Sequence, residues 1–432
     1  MTKPHWNVLI FPGGMENGIE IYNSLKNCKE ISLFSASSAV PNQAFFLYKN
    51  NHIVRDVRED GWIEDLNAVI DACHIDIVYP ANSFIIDALA ANKDRLHAPV
   101  LLPSQEVLQI TRSKHQTIRR LSGCLPLPLT YSKADDIKTY PVFAKPDNGY
   151  GAQGTRKIEN RQEAEELDFS RFVVQELLPG KEYTVDCLSD NEANLLFCAG
   201  RERSRIRMGT SMHAQAVSAE LDTFFAQIAR EILKKIKISG AWFFQMKEDA
   251  AGNLKLLEID VRIAGTMCYN RCRGVNFALL SLYLFFGLPV KLSLNNIPLI
   301  LDRSLRNRYL LDYVYDTVYV DLDDTIVCKG LLNTDMIKFL YQAFNQGKKL
   351  VLISKHLGQD KKAYLQRWRI DSLFDEVIWL QEHEDKYQHM NSKRAIYIDD
   401  SFSQRYEAAQ KLGIPTFDAS MIECLLDERI AC

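Results

Sequence analysis

A chain of 432 residues, 47% hydrophobic and 25% charged, has enough apolar surface to fold and is too long for one core, since domains typically run to roughly 100 to 200 residues. Its formal net charge of −3 excludes the overall basic field of a dedicated nucleic-acid binder. The longest apolar run, residues 277–288, is shorter than the roughly 20 residues of a membrane helix and reads as a buried helix.

In chain order, residues 7–11 form an apolar strand that runs into the turn Pro12-Gly13-Gly14, and a helical pattern follows over 19–25. A strand at 30–34, a helix at 62–73 and a strand at 75–79 continue the alternation, which implies a parallel, Rossmann-like sheet. Gly13, Gly14 and Gly18 are not spaced as a dinucleotide fingerprint and read as a tight structural turn. Residues 125–128 are a Leu/Pro hinge, after which the chain is strand-rich to about residue 311. From Tyr313 a new apolar strand begins, and strands alternate with helices to the end. The expected division is therefore 1–115, 116–311 and 312–432.

The 10 cysteines are scattered, several of them within apolar strands such as those of Cys187 and Cys198, and no charged-apolar-small leader opens the sequence. Both features suit a reducing, cytoplasmic setting. Cys268 and Cys272 lack a second Cys/His pair and read as incidental thiols rather than half of a zinc site. The basic runs 201–207 and 234–237 read as a phosphate clamp or solvated face and as the polar face of a helix.

Residues 141–158, PVFAKPDNGYGAQGTRKI, place Lys145 at the end of a strand before a loop with Gly149, Gly151 and Gly154. Such a loop lets backbone N–H groups close over phosphates while the lysine supplies a point charge. Residues 172–188 run from strand through Pro179-Gly180 to strand and put Glu176 and Glu182 near the connection. The strand at 242–245 ends in Gln245. In LLEIDVR, Glu258, Asp260 and Arg262 alternate and share one face. Charge on an otherwise apolar strand needs a reason, and metal coordination supplies one.

Taken in order, Lys114 after Ser113, Lys145 before the glycine loop, Gln175-Glu176, Gly180-x-Glu182, Gln245 and Glu258-x-Asp260-x-Arg262 before Gly265-Thr266 resemble the ATP-grasp superfamily. Its carbamoyl-phosphate-synthetase-like and biotin-carboxylase-like carboxylate ligases are the nearest in kind, over about residues 1–310. The resemblance implies a pre-ATP-grasp domain followed by an ATP-grasp domain. It also implies that Lys114, Lys145, Gly151 and Gly154 hold ATP phosphates, that Gln175, Glu176 and Leu178 form the adenine hinge and that Glu182 takes the ribose. Gln245, Glu258 and Asp260 would hold Mg²⁺, with Mn²⁺ as a substitute, and Arg262 would face the transferred phosphoryl group. Three positions depart from the family pattern: Ser113 for Asp, Ala152 for Ser and Asp260 for Asn.

Residues 318–327, VYVDLDDTIV, form a strand ending in Asp321, Asp323 and Asp324, carboxylates that repel one another unless a cation sits between them. A second strand ends in Ser354, Lys386 follows a polar stretch, and a third strand ends in Asp399 and Asp400. In a parallel sheet these strand ends converge on one crevice. The set resembles the haloacid-dehalogenase-like (HAD) phosphatases. The resemblance implies Asp321 as nucleophile, Asp323 as general acid and base, Ser354 and Lys386 on the phosphoryl oxygens, and Asp399 and Asp400 on Mg²⁺ with Asp321 and Asp323. About 30 residues separate the first motif from the second, and about as many the second from the third, too few for a folded lid domain, so the cap is expected to be minimal.

The expected fold is thus α/β and α+β multidomain: a Rossmann-like unit, an ATP-grasp unit and a HAD-like doubly wound parallel sheet. The expected function is bifunctional, an ATP-dependent carboxylate–amine ligase joined to an Mg²⁺-dependent phosphatase. Partners would be a small carboxylate, an amine or similar nucleophile and a phosphorylated small molecule, with no membrane or nucleic acid and with oligomerisation left open. The alternatives are a phosphatase regulated by a non-catalytic nucleotide-binding half, and a nucleic-acid or nucleotide binding module.

Overall fold

The computed structural model describes residues 5–149, 153–207, 209–295, 297–358, 360–390 and 393–429. Gly151 and Ala152, singled out in the glycine loop, lie outside the described residues. The chain divides into two compact units, Met1–Leu305 and Arg306–Arg429.

The first unit opens with a four-stranded parallel sheet in the order Asn51–Ile53, Ile31–Ser37, Trp6–Phe11, Ile77–Pro80. The central strand is apolar at nearly every position because both of its faces are covered. Val8 and Ile10 pack with Ile21 and Leu25 of the helix Glu16–Leu25, and Leu9 and Phe11 pack with Leu66 and Ile70 of the helix Trp62–Ala72. The Rossmann-like expectation for this segment matches the sheet found.

Two larger antiparallel sheets and the two-stranded ribbon Ile206–Arg207 with Thr210–Ser211 accompany it among the described residues. One of the larger sheets has the order Thr130–Tyr131, Phe172–Glu176, Val142–Pro146, Arg156–Ile158; the other runs Leu254–Asp260, Gly240–Glu248, Glu182–Ser189, Leu195–Glu202, His213–Ala216, Ile300–Asp302. Period-two alternation decides the faces of the larger sheet. Val185, Trp242 and Phe244 pack under the helix Ala219–Lys235, which is capped by the Ser218 side chain and buries Phe225, Ile228 and Ile232, whereas Thr184, Phe243 and Gln245 face a cavity. The apolar run at 277–288 contains the helix Phe277–Phe285, and among the described residues no helix is long and apolar enough to cross a membrane.

One expectation needs correcting here. Arg201, read as part of a clamp or solvated face, is fully buried. Its guanidinium is forked onto Asp186 at 2.6 and 2.7 Å, and Asn270 donates to the same carboxylate at 2.8 Å. A buried pair is weak evidence of stability in itself, but removing one partner strands the other charge. Asp186→Ala is therefore expected to lower the stability of this unit by about 3 to 5 kcal/mol, measured by urea unfolding; a loss under 1 kcal/mol would mean that Arg201 finds water or another partner.

The second unit is a five-stranded parallel sheet in the order Glu376–Trp379, Lys349–Ser354, Thr317–Val320, Ala395–Ile398, Thr416–Phe417. Val318, Val320, Leu352 and Ile398 pack on one face, and Tyr319, Val351, Ile353 and Tyr397 on the other. This is the doubly wound sheet expected. Its first strand starts at Thr317 rather than Tyr313, and Tyr313 and Tyr315 instead stack on each other ahead of it. The segment after Asp324 adds only the two-residue strands Val327–Cys328 and Leu331–Leu332.

Candidate functional site

In the first unit a cavity of about 500 Å³ lies against both antiparallel sheets and gathers residues far apart in sequence. Lys114, Lys145, Gln175, Glu176, Leu178, Glu182, Gln245, Glu258, Asp260 and Arg262 all line it. Gly154 does not; it sits at φ +71° in the turn, where a Cβ would lie 3.0 Å from the Pro146 ring, so its role is in the bend.

The two lysines are tied together by their surroundings. Ser113 caps the helix Lys114–Leu121 by accepting from Gln116 N and donates its hydroxyl to Asp147 at 2.9 Å, while Lys114 Nζ donates to the Pro146 and Asp147 carbonyls at 2.9 and 3.1 Å. Ser113, a departure from the family pattern, thus fastens the helix to the end of the Lys145 strand. Burial pushes the Lys145 ammonium down to about 8 against the pull of Glu258, and burial also lowers Lys114. Two desolvated ammonium groups make a strong site for polyanionic phosphate.

At the other end Glu176 accepts from Leu129 N at 2.8 Å, and its own N–H donates to Leu129 O at 2.9 Å. Gln175 is buried and donates to Thr130 at 3.2 Å. These contacts hold the hinge with its backbone at the cavity wall. The Glu182 carboxylate, expected to face ribose hydroxyls, is shared by Arg203 at 2.7 Å and Lys247 at 3.7 Å. Both cations line the cavity and were not singled out individually from sequence.

Gln245 and Glu258 stand opposite each other on neighbouring strands, a pair that suits an Mg²⁺ ion whose other ligands are phosphate oxygens. Asp260 does not suit that role. Its oxygens are taken by Arg112 at 2.9 Å, Arg262 at 2.8 Å and Ser83 at 3.0 Å, and these arginines hold its carboxyl below the ordinary range despite its burial. Asp260 is better placed to aim Arg262, which also bonds Ser83 and lies over the Phe243 ring, than to share a second ion.

In the second unit the carboxyl ends of the parallel strands meet as expected from their order. Asp321 follows Val320, Asp399 follows Ile398, and ligand atoms of Asp321, Asp399 and Asp400 lie within 4.8 Å of one another. Lys386 Nζ is 2.8 Å from Asp321 and 2.6 Å from Asp399. Although burial opposes it, those two carboxylates keep the ammonium above its ordinary value. Burial, and after it the charge of Asp399, push the Asp321 carboxyl up against the pull of Lys386. The chemistry of this donor set fits a divalent cation. Ser354 is buried with its hydroxyl at His356 N, 3.2 Å away, and Tyr397 donates to Asp399.

Asp323 stands apart from the three-carboxylate cluster and is met instead by the ring of His356 at 2.8 Å. Sequence reading did not name His356; its place two residues after Ser354 was the available signal. A cleft of about 410 Å³ is lined by Asp321, Asp323, Ser354, His356, Lys386 and Asp400 among others.

Residues 168–299 match the family model described as "ATP-grasp in the biosynthetic pathway with Ter operon". No curated protein sequence matches the chain. Among solved structures, the biotin carboxylase–β-γ-ATP complex from Campylobacter jejuni superposes with a TM-score of 0.57 at 16% identity, covering 67% of this chain and 73% of that one. The biotin carboxylase domain of the Hydrogenobacter thermophilus 2-oxoglutarate carboxylase, solved with MgADP, ADP and bicarbonate, gives 0.58 at 15%, covering 68% and 73%. N5-carboxyaminoimidazole synthetase from Staphylococcus aureus gives 0.54 at 16%, covering 68% and 80%. At these identities the likeness is one of architecture: the chain is a mixed α/β, multidomain protein with an ATP-grasp fold.

Proposed function

We propose that the chain is a bifunctional enzyme in which residues 1–115 and 116–311 form an ATP-dependent carboxylate–amine ligase and residues 312–432 form a HAD-like phosphatase. The observation that carries the ligase half is the convergence of Lys114, Lys145, Gln245, Glu258 and Arg262 in one cavity with the 175–178 hinge. Support also comes from the nucleotides bound in the Campylobacter and Hydrogenobacter structures.

In this reading the hinge holds adenine and the lysines hold the phosphates. The acid's carboxylate oxygen attacks the γ-phosphorus, the bond to the β-phosphate oxygen breaks, and ADP leaves. An amine then displaces phosphate from the acyl-phosphate. Arg262, aimed by Asp260 and Ser83, offsets charge on the transferred group. Mg²⁺ bound at Gln245 and Glu258 would neutralise charge on the phosphates.

For Arg306–Arg429 the reading rests on geometry alone. Asp321 attacks the phosphorus of a monoester, Asp323 gives a proton to the leaving oxygen, and Asp323 then takes a proton from the water that opens the aspartyl-phosphate. Lys386 and Ser354 face the phosphoryl oxygens, and a divalent cation at Asp321, Asp399 and Asp400 would screen the cluster during the approach.

Purified protein with ATP, Mg²⁺ and pooled carboxylates and amines is expected to release ADP only when an acid is present, with a new amide mass. ADP release indifferent to added acid would sink the ligase reading. The arginine pairs on Asp260 favour a second reading, a nucleotide-binding half that regulates the phosphatase, and acid-dependent ADP release excludes it.

Lys145 also fixes a pH dependence. Its ammonium is charged below about 8 and loses its proton above, while bound phosphate favours the charged form. Nucleotide binding above that pH must therefore recapture a proton. ATP affinity, measured calorimetrically, is expected to be level up to about pH 7.5 and then to fall by up to about tenfold per pH unit, with heats that vary with buffer ionisation. In Lys145→Arg the fall should vanish; an unchanged slope would assign the titration to another group.

A further inference from the structure

The loop after the strand Lys349–Ser354 carries an imidazole that neither reaction above uses. His356 Nδ1 lies 2.8 and 3.1 Å from the two oxygens of Asp323, and its side chain is 13% exposed against 44% for that of Asp323. The ring is fixed from several sides. It packs on Tyr364 at 4.3 Å and near Trp379 at 6.3 Å between ring centroids, and its backbone N–H donates to Ser354. Gly358 leaves the space it occupies, since a Cβ there would stand 2.3 Å from Nε2.

Asp323 has the opposite character. It is half exposed, it sits one residue before Asp324, whose φ is +55°, and a carboxyl on such a turn is not locked by packing. An immobile ring beside a loosely held acid is a device for choosing the acid's rotamer.

Resting on the phosphatase reading, we propose that His356 is a positioning residue for Asp323 and that the site is therefore built for phosphomonoesters of weakly acidic alcohols, whose leaving oxygen must be protonated. As the bond from phosphorus to the alcohol oxygen breaks, its electron pair goes to that oxygen, which takes the proton of Asp323, while the bond from phosphorus to Asp321 forms. Asp323 is left as a carboxylate, and the Nδ1–H bond to it becomes charge-assisted, so the contact strengthens along the reaction. An ester of a strongly acidic phenol needs no such proton and gains nothing from the ring.

The test uses the full chain with Mg²⁺ and two probes, phenyl phosphate and 2,4-dinitrophenyl phosphate. His356→Phe keeps the ring stack and removes the donor. It is expected to lower turnover of phenyl phosphate by about 10- to 100-fold while changing the dinitrophenyl ester by less than about threefold, with His356→Asn, whose amide nitrogen can take the place of Nδ1, restoring most of the loss. If His356→Phe fails to fold, the comparison is made with Gly358→Ala, which crowds the ring while leaving it in the chain. Equal losses on both esters would assign the ring a merely structural role and overturn the proposal, as would no loss on either. A wild-type protein inert toward both esters would instead remove the phosphatase reading, and the proposal with it.

Discussion

Asp321→Asn is expected to lower phosphomonoester hydrolysis by about 10⁴-fold or more, while acid-dependent ADP formation changes by less than about twofold. The substitution keeps the shape of the side chain at the end of the strand Thr317–Val320 and removes the one oxygen nucleophile the reading requires. It also takes one negative charge out of a cluster whose members lie within 4.8 Å, and Lys386 keeps Asp399 as a partner at 2.6 Å. The variant should therefore be no less stable than wild type, and loss of activity cannot be ascribed to loss of fold. Phosphate release under single turnover and thermal unfolding read the two effects separately. Retention of a tenth of the activity would show that Asp321 is not the nucleophile.

Lys145→Ala is expected to act on the other reaction alone, cutting ADP formation by about 10²- to 10³-fold and weakening ATP binding. The side chain combines two properties that make its loss costly. It sits one residue before the end of the strand Val142–Pro146 at the wall of the cavity, and burial there lowers its ammonium to about 8, so its attraction for phosphate is less screened than in open water. A buried ammonium is itself a burden on folding, so the alanine variant should unfold at no lower denaturant concentration. Phosphate release from a monoester should be unchanged. Loss of both activities in a folded Lys145→Ala protein would replace two independent sites by one coupled system.

How much of this was readable beforehand depended on whether the information was local. The strand ends at Asp321, Ser354 and Asp399 were legible because an apolar run that stops at an acid or hydroxyl marks both the strand and its carboxyl end, and a parallel sheet brings such ends together. Alternation likewise put Glu258, Asp260 and Arg262 on one face, and all three line the cavity. Partners distant in sequence were not legible. Asp260 looked like an ion ligand because Arg112 and Ser83, which occupy it, are 148 and 177 residues away, and nothing local signals them. Arg201 looked solvated because its neighbours are polar, yet in the paired strands it sits diagonally across from Asp186, with the register matching it to Thr184. His356 was missed because its only local signal is its place two residues after Ser354, and its partner Asp323 lies 33 residues away. The start of the second unit's first strand was misread because Tyr313 and Tyr315 are as apolar as strand residues, and their stacking, not a ladder, places them.

The contacts of Ser113 and Lys114 with Pro146 and Asp147 have a mechanical meaning. The helix start and the strand end are clamped into one jaw, so that in the proposed ligase a polyphosphate would meet the two ammonium groups as a single doubly charged grip. Recognition would then read the distance between successive phosphates as well as their charge.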